Sequence, residues 1–137
     1  MSRLLLDTHA AVWLVEGQSF SAAAKEAFAT ATQDNEDALV SPMSAWEIGM
    51  LSARGRLRIP LPPADWFERL LRSPGIALAG LTTTALVASS YLPGSPPRDP
   101  VDRILAATAR EGDYRLVTRD RELLAYAGQG YLKAIAC

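Results

Sequence analysis

The sequence has 137 residues, of which 49% are hydrophobic and 21% charged, and its formal net charge is −1. This length suits one domain with a substantial core, and the near-neutral charge predicts no bulk electrostatic attraction to nucleic acid or membranes. The single cysteine, Cys137, excludes an internal disulfide and a cysteine-rich metal site. The N-terminal apolar run is too short for a signal peptide and no segment has transmembrane length, so we expect a cytoplasmic protein without membrane contact.

Apolar runs and helix-periodic segments alternate along the chain. In the first half they predict a strand in "RLLLD", helices in "AVWLVEG" and "SAAAKEAFATATQ", a strand in "ALVSP", a helix from Pro42, a loop in "RGRLRIPLPP" and a helix in "ADWFERLLRS". In the second half they predict a strand in "IALAGL", a helix in "TTALVASSYL", a loop in "PGSPPRDP", a helix in "VDRILAATAREG" stopped by Gly112, a strand in "YRLVT", a helix in "RDRELLAYAG" and a strand in "YLKAIA". This alternation predicts a single α/β domain over residues 1–137, with a central parallel sheet between two layers of helices.

The helix that starts at Pro42 carries an acid on its apolar side. Ser41 is a typical N-cap, and Pro42 fits the first turn because its missing N–H costs nothing there. The apolar residues that follow share one face at helical spacing: Met43, Trp46, Met50 and Leu51. Glu47 falls on the same face with no basic residue three or four positions away. An unpaired carboxylate in such a place is costly, which indicates a functional site.

Four acids, including Glu47, stand near the carboxyl ends of the predicted strands. Asp7 directly follows the first strand, and Asp120 lies two residues beyond the strand that ends at Thr118. Asp102 lies in the first turn of the helix after the proline-rich loop. Because ligands of open α/β sheets bind outside the carboxyl ends of the strands, we expect the four acids to meet at one edge. Such oxygen-only ligands favour Mg²⁺ or Mn²⁺ over zinc.

Each acid also has a purely structural interpretation. Asp99 and Asp102 have the spacing of a capping box, and taken alone they favour that role. Asp7 and Asp120 are each suited to cap the helix that follows them. Glu47 has the weakest alternative, which is an ion pair with an arginine from another segment. The four acids together are more specific than any one of them.

Short hydroxyl side chains stand next to two of these acids. Thr8 adjoins Asp7, and Thr118 precedes Asp120 by two residues. Capping or turn formation is their ordinary role, and holding a carboxylate or a metal-bound water is the functional alternative. His9 is the only histidine, and its position two residues along a helix start favours a structural or supporting role over metal ligation. No convincing Ser–His–Asp arrangement is present.

Four segments of the chain resemble the acidic motifs of PIN-domain proteins: "LLLDTHAAVWLV", "VSPMSAWEIGM", "RDPVDRILAATA" and "RLVTRDREL". More narrowly, they resemble VapC-type ribonuclease toxins of bacterial toxin–antitoxin pairs, and the resemblance runs from Arg3 to Ile135 in the order of that family. "DTHA" and "DPxDR" are typical of the toxin subgroup, and "SAWEI" is similar to its segment around the acidic helix residue. The family fold, a parallel sheet with helices on both sides, agrees with the fold predicted above.

The resemblance implies a metal-dependent endoribonuclease. It assigns catalysis and the binding of Mg²⁺ or Mn²⁺ to four acids: Asp7, Glu47, Asp102 and Asp120. Asp99 matches an acid that this subgroup often carries just ahead of the third site acid, as a supporting or capping residue. The implied partners are an RNA substrate, with tRNA or another structured RNA as candidates, a VapB-like antitoxin and a second copy of the chain. Arginines could hold an RNA backbone around the acids, and those available are Arg54, Arg56, Arg58, Arg98, Arg103, Arg119 and Arg121.

Two rival enzyme classes fit the sequence less well. A haloacid-dehalogenase-like phosphatase also uses an aspartate after the first strand, but it requires a second acid where this chain has His9. A receiver domain requires an acidic pair near the end of the first strand, and that pair is absent. A third alternative is a PIN scaffold that only docks RNA or protein, which four intact acids disfavour.

Large aromatic residues on the predicted helices are more than we expect one small core to hold: Trp13, Trp46, Trp66 and Phe67. We therefore predict a contiguous exposed apolar patch near the acidic edge. Such a patch would serve the homodimer and an antitoxin that inserts a basic side chain toward the acids.

Overall fold

The computed structural model describes residues 3–137, and short strands alternate with helices along this range. The strands are β1 Leu4–Leu6, β2 Ala38–Val40, β3 Ile76–Leu78, β4 Arg115–Thr118 and β5 Lys133–Ala136. The helices are α1 Thr8–Glu16, α2 Ala22–Gln33, α3 Pro42–Ala53, α4 Pro63–Arg72, α5 Thr83–Ala88, α6 Pro100–Gly112 and α7 Arg121–Gly128. None of the helices in the described range combines the length and the apolar character needed to cross a bilayer.

All five strands form one parallel sheet, in the order β3-β2-β1-β4-β5. The first strand is therefore central, and Leu5 pairs with Leu39 of β2 on one side and with Leu116 of β4 on the other. Because the strands all point the same way, the residues that follow β1, β2 and β4 leave the sheet at one edge. The predicted parallel α/β sheet is confirmed, and its carboxyl edge is where the candidate acids lie.

Side chains of β1 alternate between two apolar cores, one on each face of the sheet. Leu4 and Leu6 pack in one core with residues of α1, α2 and α4, whereas Leu5 packs in the other with residues of α6 and α7. All three leucines are buried, as expected for a parallel strand covered on both faces. The predicted three layers, with helices on both sides of the sheet, are therefore present.

Local sequence signals set several helix starts. Ser41 Oγ accepts the Met43 N–H at 3.0 Å, and Pro42 occupies the first position of α3. Ser21 caps α2 and Thr82 caps α5 in the same way. The predicted Ser41 cap is confirmed, and each of the three caps contributes about 1 kcal/mol to stability.

Two helix ends differ from the prediction. Helix α5 ends at Ala88, four residues early, because the amides of Ser90 and Tyr91 bond three residues back instead of four. Helix α6 includes Gly112, and Asp113 rather than the glycine takes the left-handed conformation, with a φ of 55°. A Cβ on Gly112 would lie 2.3 Å from Cζ of Tyr114. The ring of Tyr114 therefore packs closely against Gly112.

The core holds two of the four aromatic residues that we named as too many for it, and the other two remain partly or largely exposed. Trp66 and Phe67 lie in the core, where they are 3% and 8% exposed. Trp46 is 57% exposed, although we placed it on the apolar face of α3. The fully buried side chains of that helix are instead Ser44 and Ile48. Hydrophobicity along one helix does not reveal which side its neighbours cover.

Candidate functional site

Three of the helices that begin at the acidic edge are each capped by an aspartate. Asp7 accepts a first-turn N–H of α1 at 2.7 Å, and Asp120 accepts one of α7 at 2.9 Å. Asp99 caps α6 by accepting the Asp102 N–H at 3.0 Å. The capping interpretation is therefore correct for all three residues. Capping is compatible with a functional role for these aspartates, because the cap hydrogen bond fixes each carboxylate in place. The positive ends of the helix dipoles also favour negative charge there.

Thr118, at the end of β4, ties two of these acids together. Its hydroxyl donates a hydrogen bond to the Asp7 carboxylate, and its oxygen accepts the Asp120 N–H at 3.0 Å. The side chain is fully buried, so water cannot replace either bond. Thr118, which we predicted as a supporting residue, thus lies where the ends of β1 and β4 meet.

Replacing Thr118 by valine is expected to destabilise the fold by about 1–3 kcal/mol. Valine keeps the volume but removes the hydroxyl, which leaves the buried Asp7 carboxylate and the Asp120 amide without their partner. Thermal unfolding measures the loss. Thr118→Ser is the matched control because it keeps the hydroxyl, and it should lose less stability than Thr118→Val. An equal or larger loss for the serine variant would mean that the methyl group matters more than the hydrogen bonds.

Glu47 faces Thr8 rather than an arginine. Burial raises the pKa of Glu47, and the nearby carboxylate of Asp99 raises it further, while a hydrogen bond from the Thr8 hydroxyl opposes the shift. Thr8 Oγ1 also lies 3.0 Å from Ser44 Oγ, which links α1 to α3. The only sign of this contact in the sequence is that Ser44 is a polar residue one turn before Glu47.

No ion pair in the described part of the chain neutralises the acids. The salt bridges found there join Glu68 to Arg72 and Asp113 to Lys133, away from the candidate site. The arginine partner considered for Glu47 is therefore not present. No ion pair among residues 3–137 therefore balances the negative charge at this edge.

Asp102 shows most clearly how the acids affect one another. Burial, followed by repulsion from Asp120, Asp99, Glu47 and Asp7 in that order, raises its pKa to about 8. Burial likewise raises the pKa of Asp7, against hydrogen bonds from Thr118 and a first-turn amide that lower it. The structure thus brings all four predicted acids, and Asp99 with them, within electrostatic reach of one another.

The donors at this edge fit a hard divalent cation in their chemistry. No group of three or more His, Cys, Asp or Glu side chains in residues 3–137 is, however, arranged to hold a metal ion. Mg²⁺ commonly binds one or two protein carboxylates and keeps several waters, so it does not require such a group. The fit rests on the carboxylates and on their unbalanced charge. That all four acids share one ion stays a prediction.

The arginines divide into two groups. Six of the seven named above are exposed: Arg54, Arg56, Arg58, Arg98, Arg119 and Arg121. Arg103 instead donates to the Ser89 carbonyl at 2.8 Å and to the Pro97 carbonyl at 3.1 Å, so it supports the proline-rich loop. Arg119 lies over the ring of Trp13, with Cζ 4.1 Å from the ring centroid. These long-range contacts could not be read from the sequence.

The fold and the acidic edge define a known class of protein. The PIN domain model matches residues 4–129, and the chain belongs to the PIN-domain family. Within that family it is 35% identical to ribonuclease VapC22 of Mycobacterium tuberculosis over 124 residues, which cover 90% of this chain and 91% of the relative. The predicted resemblance to VapC-type PIN proteins is therefore confirmed.

Solved structures share the fold at lower sequence identity. VapBC2 from Rickettsia felis, bound to a DNA fragment of its promoter, matches with a TM-score of 0.66 and 11% identity over 96% of each chain. DNA-bound VapBC from Salmonella typhimurium matches with a TM-score of 0.65 and 16% identity over 98% of each chain. A toxin–antitoxin complex from Klebsiella pneumoniae gives 0.61 at 16% identity, over 97% of this chain and 96% of that one.

Proposed function

We propose that this protein is a VapC-type endoribonuclease toxin, with residues 1–137 as its PIN domain, acting on RNA in the cytoplasm. The observation that carries the proposal is the cluster of unpaired acids at the carboxyl edge, where burial and then mutual repulsion raise the pKa of Asp102 to about 8. Similarity to ribonuclease VapC22 supports RNA as the substrate class. Similarity to VapBC complexes supports a VapB-like antitoxin as the partner.

The Mg²⁺ or Mn²⁺ ion of this activity would be held by the four acids: Asp7, Glu47, Asp102 and Asp120. When bound, the ion supplies positive charge that activates water and stabilises the attacked phosphate. Thr118 holds the Asp7 carboxylate in place, and Thr8, whose hydroxyl donates to Ser44, lies beside Glu47. In-line attack by water would leave a 5′-phosphate and a 3′-hydroxyl. Exposed arginines would contact the RNA backbone, with Arg54, Arg56, Arg98 and Arg119 as candidates and Arg103 as support for the nearby loop.

A cleavage assay tests this activity and separates it from a non-catalytic PIN scaffold. The purified protein is incubated with end-labelled RNA in Mg²⁺ or Mn²⁺, in excess EDTA, and in EDTA followed by excess Mg²⁺. We expect cleavage with the metal, none with the chelator, and recovery on adding Mg²⁺. RNA binding without cleavage under all three conditions would instead support the scaffold.

An open apolar groove supports the proposed antitoxin. The groove has a volume of about 890 Å³, and its lining includes Leu14, Val15, Phe28, Leu61, Trp66 and Leu70. Helix α1 connects it with the acids, since Asp7 caps one end and Leu14 lines the groove near the other. Nine helical residues span about 13 Å. A partner segment of a few extended residues could therefore fill the groove and place a basic side chain among the acids.

Replacing Val15 by aspartate is expected to weaken inhibition by the antitoxin about tenfold or more. Val15 is 48% exposed and lines the groove, so a charge there opposes an apolar partner without disturbing the core. Titration of cleavage with the antitoxin measures the effect. Ala29→Asp, on the exposed side of α2, is the control and should be inhibited like the wild type. Equal inhibition of Val15→Asp and wild type would place the antitoxin elsewhere.

We also propose a homodimer, since large apolar side chains remain on the surface. Trp46, Val87 and Tyr91 are 57%, 63% and 81% exposed. Light scattering during size-exclusion chromatography at micromolar concentration is expected to give twice the 14.8 kDa mass of the chain. A single peak at the monomer mass would remove the dimer from the proposal.

A further inference from the structure

Three side chains form a row that begins beside the acids and follows α1. The ring centroids of His9 and Trp13 are 6.2 Å apart, with an angle of 47° between the rings. On Trp13 lies the guanidinium of Arg119, which also donates to the Ser19 carbonyl at 3.1 Å. The row is therefore fixed at its far end by a cation–π contact and a hydrogen bond.

The near end of the row is at the acidic site. His9 is the second residue of α1, and its imidazole is close enough to Asp7 and Glu47 to lower the pKa of both. Arg119 stands between Thr118 and Asp120 in the chain. A substrate whose phosphate lies at the acids would thus have this row along one side.

His9 itself is exposed. Within residues 3–137 its imidazole makes no hydrogen bond, and its ring contact is with Trp13. Trp13 is half-buried and held by Arg119, so it supports the imidazole from the helix side. This leaves an aromatic face in solvent next to the candidate site.

We propose that His9 is a stacking platform for the nucleobase next to the attacked phosphate, supported by Trp13 and Arg119. The inference rests on the RNA-cleaving function proposed above and adds a contact to the base. Proteins that bind single-stranded RNA stack unpaired bases on aromatic side chains, histidine among them, with little preference for base identity. A base inside a duplex has no free face, so His9 would select RNA that is unpaired at the cleavage site.

The test measures coupling between His9 and one base. Active wild-type protein first maps the cleaved phosphate in a short unstructured RNA. Fluorescence anisotropy then compares binding of this RNA and of the same RNA with one abasic nucleotide beside that phosphate, using full-length Asp7→Asn protein to prevent cleavage. Removing the base should weaken binding about fivefold to thirtyfold. Adding His9→Ala should weaken binding of the intact RNA by a similar factor and abolish the effect of the abasic nucleotide.

Adding His9→Phe provides the matched control, because it keeps an aromatic ring and should keep the abasic effect. An abasic effect that is as large with His9→Ala as without it would overturn the stacking role, while cleavage by the wild type would leave the proposed function intact. Loss of the abasic effect in His9→Phe would also overturn it, since the contact would then depend on the imidazole nitrogens. Failure of the wild type to cleave any RNA with Mg²⁺ or Mn²⁺ would remove both proposals.

Discussion

Replacing Asp7 by asparagine is expected to lower the rate of RNA cleavage by at least about a hundredfold. Asp7 is 6% exposed and follows the central strand, so its carboxylate faces the other acids from a fixed position. Asparagine keeps the size and can still accept the first-turn N–H of α1. It lacks the charge that a divalent cation requires from its ligands. Single-turnover cleavage at saturating Mg²⁺ measures the rate.

A matched control separates a local effect from a change in net charge. Glu26→Gln, on the exposed part of α2, also removes one negative charge and should keep the rate within about twofold of the wild type, since screened surface charges contribute little. Thermal unfolding of both variants checks that they are folded. A folded Asp7→Asn protein that cleaves RNA at the wild-type rate would show that the metal site has been assigned to the wrong residues.

The metal-free protein is expected to lose stability as the pH rises from about 4 to about 8. Folded Asp102 keeps its proton up to about pH 8, whereas in the unfolded chain it releases the proton near its ordinary pKa of 3.8. Between these values the unfolded state binds fewer protons, so raising the pH favours unfolding. Asp7 and Glu47 contribute in the same direction, because their pKa values are also raised on folding.

Asp102→Asn should remove part of this loss. Because Asp102 is partly solvated, screening reduces its effect to the order of 1–2 kcal/mol, or roughly 3–8 °C in Tm for a chain of this size. Thermal unfolding in EDTA at pH 5 and pH 8 measures the difference, with Glu26→Gln as the control. Added Mg²⁺ at pH 8 should stabilise the wild type more than the variant. A lower metal-free Tm for Asp102→Asn at pH 8 would mean that Asp102 stabilises the start of α6 in its charged form.

The sequence predicted the parts of the fold that depend on near neighbours. Ser41 followed by Pro42 marks the start of α3 because a capping hydrogen bond closes within three residues. Asp99 followed by Pro100 marks α6 for the same reason. The order of strands and helices followed from such local patterns, and the positions of the acids at strand ends followed from that order.

Contacts between distant segments could not be predicted in the same way. Trp46 and Trp66 both lie on helices with apolar neighbours, yet only Trp66 is covered by the rest of the fold. Arg103 looked like an RNA contact, but its guanidinium is bound to two carbonyls of the preceding segment. Arg119 was expected to contact a phosphate backbone, and the sequence does not reveal that it covers Trp13. Each case depends on packing between different helices and strands. The hydrophobic periodicity of one segment carries no information about that packing.

The hydrogen bond between Thr118 and Asp7 has a consequence for the timing of synthesis. It joins residues 111 positions apart, and β4, which carries Thr118, is made after β1, β2 and β3. A ribosome must therefore translate past β4 before Asp7 acquires this partner and before Asp120 can join the other acids. With the proposed RNA-cleaving activity, a nascent chain would remain harmless to its own messenger and ribosome until β4 has been made.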